Sequence, residues 1–494
     1  MAITLKAAPE VLTPAYNPVK YIYDSTNKNL LGFKYIFDIY LSGTTTRIAE
    51  YRVLPVYGTG YGEIDLSKLL QSKVSFDLNT TNTTSYVAPE SHYKYDVKVG
   101  EEYLTTTSWT AALTQYLTAP FVGRVQINVA NTFLVGDQIN IVQTGGGLTN
   151  PNLEGLFTVL VANPAYIVVN SLWSQIVNAN KDGDITYADG RRTVTRDIIT
   201  KLDQYVFNGA LPWKQWPSWD WTEYNLSSVT DRFLSTIPST NFSATLSQDI
   251  WLNAVFGALA PGTHRLVFES DAGSIYGKSL VANDHITGNA VGPNNTGPLV
   301  PIVGILPLIK PTTKWYDFYY QYNGVQVTQK YRIDIDRRVR ETEYSIIFLD
   351  RLGSWGSFAF TGRAYENGSV TREQYNMDVK GKIASSEWTY DLTERGYVNS
   401  YVSVDNTIDL NTNWMTEEMA EYFTELISSP YTYFKISTYE DPEDFRSTCE
   451  EPSSTDYISC NIVTSSFEKF KQRNKNLIKQ SITIKLANND LVNG

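Results

Sequence analysis

The sequence predicts a mainly β protein of several sandwich or barrel modules with one clear α-helix. Three observations predict it. Aromatic residues are abundant, with 34 Tyr, 20 Phe and 11 Trp, and such side chains fit a pleated, half-buried surface. Methionine, the adaptable filler of many cores, occurs only 4 times. Apolar residues alternate with polar ones over short runs separated by Gly, Pro, Asn and Asp, the signature of strands joined by turns.

The 494 residues exceed one ordinary core, so several packed units are expected. The first module, 1–120, carries Phe33, Tyr35, Phe37, Ile39 and Leu41 on alternate positions, which predicts a strand with two distinct faces. VYGTGYGEIDLSKLL then supplies a Gly-punctuated loop and a short amphipathic turn.

Residues 121–195 read as an inserted small β-barrel. Val125, Ile127 and Val129, then Ile139 and Ile141, then Phe157, Val159 and Val161, then Ile167 and Val169 alternate between turn signals. Residues 196–327 are a Trp-rich, irregular β region. From 328 to 494 alternation resumes in TQKYRIDIDRRV and EYSIIFLDRL, and the chain closes on QSITIKLAN. One helix is predicted over about 414–428. There Met415, Met419, Tyr422, Phe423, Leu426 and Ile427 fall on one face, and Pro430 marks the end.

Composition also bounds function. The net charge of −11 disfavours binding to nucleic acid phosphates, although an acidic wall is compatible with passive passage of DNA along a channel. The longest strongly apolar stretch, residues 299–309, has two prolines and is too short to span a bilayer, so no membrane insertion is expected. No secretory signal is visible, and Cys449 and Cys460 are read as thiols in a reducing cytoplasm, with a bridge as the alternative.

Chemical motifs are sparse. Residues 178–189 match much of an EF-hand loop, with Asn178, Asn180, Asp182 and Asp189 at ligand positions and Gly183 at the turn; a polar hairpin turn is the preferred reading. Asp334 and Asp336 lie about 7 Å apart on one strand face, within the range of an inverting glycosidase pair. The cations Arg337, Arg338 and Arg340 beside them favour a charge network of depressed pKa instead. His92, His264 and His285 have no nucleophile or carboxylate at recognisable spacing, and no phosphate-binding loop occurs. The chain therefore reads as a non-enzyme without cofactor. Trp213, Trp216, Trp219 and Trp221 form a cluster suited to a core, a subunit interface or a glycan platform.

Two regions resemble a known group. PAYNPVKYIYDSTNKNLLGFKYIFDIYL and VLPVYGTGYGEIDLS resemble the N-terminal part of tail-associated structural proteins of Bacteroidetes phages, the crAss-like group included. SIIFLDRLGSWGSFAFTGR, MTEEMAEYFTELISSPYTYF and NIVTSSFEKFKQRNKNLIKQSITIKLAN are similar to the C-terminal parts of the same proteins. The resemblance implies a virion protein of tail or neck: a hub, ring or baseplate-type component that forms a homo-oligomeric ring and contacts other tail, neck or portal-complex proteins. It implies assembly in the host bacterial cytoplasm and carries no functional residue over. The alternative expectation is a receptor- or glycan-binding tail protein.

Overall fold

The computed structural model describes residues 3–78, 85–144, 150–180, 182–255, 263–279, 286–296, 300–303, 308–337, 342–391, 393, 396–438, 457–464, 478–487 and 490–491. The protein is mainly β and multi-domain, as its aromatic and β-branched content predicts. It divides into two compact units, each discontinuous in sequence. The first takes residues 1–11, 18–67 and 94–205, and the second takes 12–17, 68–93 and 206–494.

In the first unit, Lys34–Leu41 pairs on one side with Arg47–Val53 and on the other with His92–Leu104, which neighbours Arg192–Phe207. Alternation predicts a strand with two distinct faces at Lys34–Leu41, and both are largely covered: Ile36 and Asp38 are buried along with Tyr35, Phe37 and Ile39. The buried Asp38 carboxylate is compensated by Arg47 at 3.1 Å and Arg196 at 2.5 Å, so its face is closed by an ion network.

Residues 106–187 build a separate antiparallel sheet of seven strands. Its order is Thr114–Tyr116, Arg124–Asn128, Tyr166–Leu172, Gly155–Asn163, Gln138–Thr144, Asp182–Tyr187 and Thr106–Trp109. Val125, Ile127, Ile139, Ile141, Val159, Ile167 and Ile185 are wholly buried in one cluster. One sheet whose strands from end to end feed a single core must curl around it. Trp109 closes that core by lying across Gly183, its ladder partner; a Cβ at 183 would stand 2.0 Å from the indole.

The second unit packs two sheets around one large core. One runs Phe242–Thr245, Tyr331–Asp336, Trp315–Tyr322, His264–Ser270, Ile275–Ser279 and Val300–Val303. The other includes Thr342–Leu349, Trp355–Phe360, Thr432–Thr438, Ile458–Ile462 and Ser481–Leu486. Phe268, Tyr316 and Phe318 from the first share one buried cluster with Phe348, Phe358 and Phe434 from the second. The expected helix spans Glu417–Ser428, and the Thr416 hydroxyl accepts a hydrogen bond from the Met419 amide to cap it. Its Tyr422 and Phe423 rings lie 5.1 Å from Phe348 and 5.0 Å from Phe358, which seats it on the sheet face.

Candidate functional site

The largest departure from a packed β protein is a ribbon that the sequence reading did not identify. Tyr365–Asn376 pairs antiparallel with Tyr397–Asn411, from Tyr365 opposite Asp409 to Asn376 opposite Tyr397. All twelve residues of the first strand are exposed. At the base, Ile408 and Leu410 enter the core and Thr407–Asn411 pairs with Ser481–Leu486, so the ribbon grows out of the main sheet. Among the described residues no further strand pairs with it beyond Ser403, and Tyr365–Asn376 stands at the end of the strand order of that sheet.

At about 3.3 Å per residue the twelve-residue strand spans about 40 Å. Its far end carries a second hairpin, Lys382–Ala384 with Glu387–Thr389, turned by Ser385 and Ser386 at positive φ. That geometry matches the tight turns that suit twisted hairpins. Trp388 packs over Gly381 and its ring lies 5.6 Å from that of Tyr390, and a Lys382–Asp391 ion pair at 2.8 Å ties the end together. Ile383 is 80% exposed, and Trp388, Tyr397 and Tyr401 are exposed as well.

The residues singled out from sequence fare differently. Trp219 donates its Nε1–H to the Leu12 carbonyl at 2.8 Å and stacks on Tyr224 with ring centres 5.0 Å apart. That role is structural: the ring anchors an irregular segment. Trp216 and Trp221 are half-buried, and Trp213 stands exposed at 82%. Of the four, Trp219 lines the 590 Å³ cleft in this region.

The calcium-loop reading of Asn178, Asn180, Asp182 and Asp189 is corrected. Asp182–Tyr187 is a strand paired with Gln138–Thr144, which separates the first candidate ligands from Asp189 by about 20 Å of extended chain. Gly183, assigned to the turn, is the strand glycine under Trp109. The Asn178 side chain accepts from the Asn180 amide, and Asp189 accepts from the Arg191 amide at 2.9 Å. Asn150, fully buried, clasps the segment by accepting from the Val177 and Asn178 amides. Among the described residues no group of His, Cys, Asp and Glu is placed to hold a metal ion.

Asp334 and Asp336 do share a face, and they line a cleft of about 270 Å³. The expectation that neighbouring cations depress their pKa fails for Asp334, whose carboxyl is raised because burial outweighs the attraction of Arg332. Arg332 is engaged by Asp317 in a bidentate pair at 2.8 and 3.0 Å, and Arg337 donates instead to the Lys310 carbonyl. Arg338 and Arg340 lie outside the described residues, as do His285 and Cys449. Cys460 is buried, with its thiol pushed up to about 11. His92 Nδ1–H donates to the Ala88 carbonyl at 2.9 Å, and His264 pairs with the Tyr320 hydroxyl at 2.7 Å; both serve buried structure.

No family model matches the chain, and no curated protein is similar to it.

Proposed function

We propose that the chain is a structural subunit of a phage tail or neck that assembles as a symmetric ring, with the ribbon 365–411 as its contact arm. The ribbon carries this reading. An isolated two-stranded hairpin is marginal in water, because neither face is covered and its strands gain little beyond their shared ladder. The base of the ribbon pairs with third strands at Ser403–Val404 and Thr407–Asn411, but a chain that carries the hairpin on through Arg372–Asn376 and places Ile383, Trp388 and Tyr397 at its far end leaves those faces for another surface to cover.

A neighbouring copy of the chain is the partner this reading commits to, since closed rings repeat one contact around an axis. Among the described residues no strand pairs with the outer side of Tyr365–Asn376, which gives that copy a strand edge to extend, while the aromatics at the far end fill its pockets. The acidic composition is compatible with a DNA conduit at the ring axis, and the resemblance at both ends of the chain points to the virion.

Replacing residues 371–403 with Asn-Gly lets the Val370–Val404 pair close the hairpin and leaves the base intact. The expected result is a folded monomer by light scattering, beside an oligomeric parent that forms rings in electron micrographs. A parent that is monomeric at all concentrations and missing from purified virions would overturn the reading.

A further inference from the structure

The cleft holding Asp334 and Asp336 has the components of a small-ligand site. Asp334 faces Ser243 across a parallel ladder and Asp336 faces Thr245, so two carboxylates and two hydroxyls share one sheet face. Across the cleft stand Thr361, Asn413 and Trp414, and Asn413 donates to the Thr361 hydroxyl at 2.6 Å, which fixes that wall. Asn241 stands at the end of the Phe242–Thr245 strand and joins the lining. Trp414 is half-exposed at 53%, although the helix that follows it is packed.

Asp334 differs from the other enclosed carboxylates of this unit. Asp350 accepts from the amides of Thr236, Leu352 and Ser354 and from the hydroxyls of Ser235 and Thr236. Asp317 is held in both oxygens by Arg332. No hydrogen bond or ion pair reaches Asp334 among the described residues, yet burial raises its carboxyl. The Asp334 carboxylate is therefore placed to accept a hydrogen bond from a hydroxyl-bearing ligand.

We propose that this cleft binds one unit of a neutral saccharide, with the pyranose face on Trp414 and ring hydroxyls donating to Asp334 and Asp336. Aromatic faces accept the apolar side of a sugar, and the mixed lining of amides and hydroxyls supplies both donors and acceptors at its rim. A cationic ligand fits less well, because the Arg332 guanidinium lies close enough to Asp334 to attract it and would repel a second positive charge. The volume of about 270 Å³ is just under that of sites for drug-sized molecules, so it suits a single ring and not a long chain. The site is independent of the ribbon and of ring formation.

The test presents the full-length protein to an array of neutral mono- to tetrasaccharides of hexoses and N-acetylhexosamines. Trp414→Ala, Asp334→Asn and Trp213→Ala are run alongside, each checked for unchanged circular dichroism. Binding of at least one neutral glycan is expected, weakened about tenfold or more by Trp414→Ala and by Asp334→Asn, and kept by Trp213→Ala. Absence of any neutral glycan ligand, binding that survives both cleft variants, or loss in Trp213→Ala would overturn the proposal. Failure here leaves the oligomeric state of the ribbon truncation unchanged, so the two readings are tested apart.

Discussion

Residues 106–187 and residues 365–411 are both β-structured, and they treat apolar side chains in opposite ways. The first curls seven strands around Val125, Ile139, Ile167 and their neighbours, with Trp109 sealing the end over Gly183. The second sends a twelve-residue strand out with every residue exposed, anchored at its base where Ile408 and Leu410 enter the core and where Ser403–Val404 and Thr407–Asn411 pair with further strands. One region buries its apolar residues in its own core; the other leaves its faces exposed. A β segment that cannot bury its own faces is a surface for something else to bury.

The largest expected effect falls on the self-sufficient region. Trp109→Ala removes a buried indole that covers a glycine, and it should destabilise residues 106–187 by about 3–5 kcal/mol in urea unfolding. The same substitution at Trp388, combined with Ile383→Ser, should change stability by no more than about 0.5 kcal/mol, because both side chains are exposed. Its effect should appear instead in association, as about a tenfold or greater rise in the dissociation constant by sedimentation. If the pair unfolds the protein as Trp109→Ala does, the ribbon supports itself and the contrast is lost.

How much of this was legible follows the same division. Alternation located Arg124–Asn128, Gln138–Thr144, Gly155–Asn163 and Tyr166–Leu172 because each has one face in the core, which imprints a period of two on the sequence. The helix Glu417–Ser428 was legible for the equivalent reason at a period of 3.6. Tyr365–Asn376 has two wet faces, so YENGSVTREQYN carries no such period, and nothing in it announced a strand. At Lys34–Leu41 both faces are largely buried, one of them through the Asp38–Arg196 pair, so alternation marks two distinct faces without showing that the polar one is covered too.

Site residues were legible as residue types but not as constellations. The spacing placed Asp334 and Asp336 together on one face, as found. The cleft wall opposite them, Asn413 and Trp414, comes from some 80 residues further along the chain and could be joined to them only by the fold. Neither the EF-hand match nor the preferred polar hairpin turn accounts for residues 182–187, whose Asn, Asp and Gly surroundings serve a strand entry: Gly183 is there for Trp109, not for a turn.

Hydrogen–deuterium exchange of the full-length protein, followed by mass spectrometry at dilute and assembly-forming concentrations, compares the two regions in one sample. Amides of Gln138–Thr144 should be protected at both concentrations, because the core that covers them is their own. Amides of Tyr365–Asn376 and Tyr397–Tyr401 should exchange freely when dilute and become protected on assembly. Ribbon amides protected as strongly as Gln138–Thr144 in the dilute monomer would contradict the account, since the arm would then need no partner.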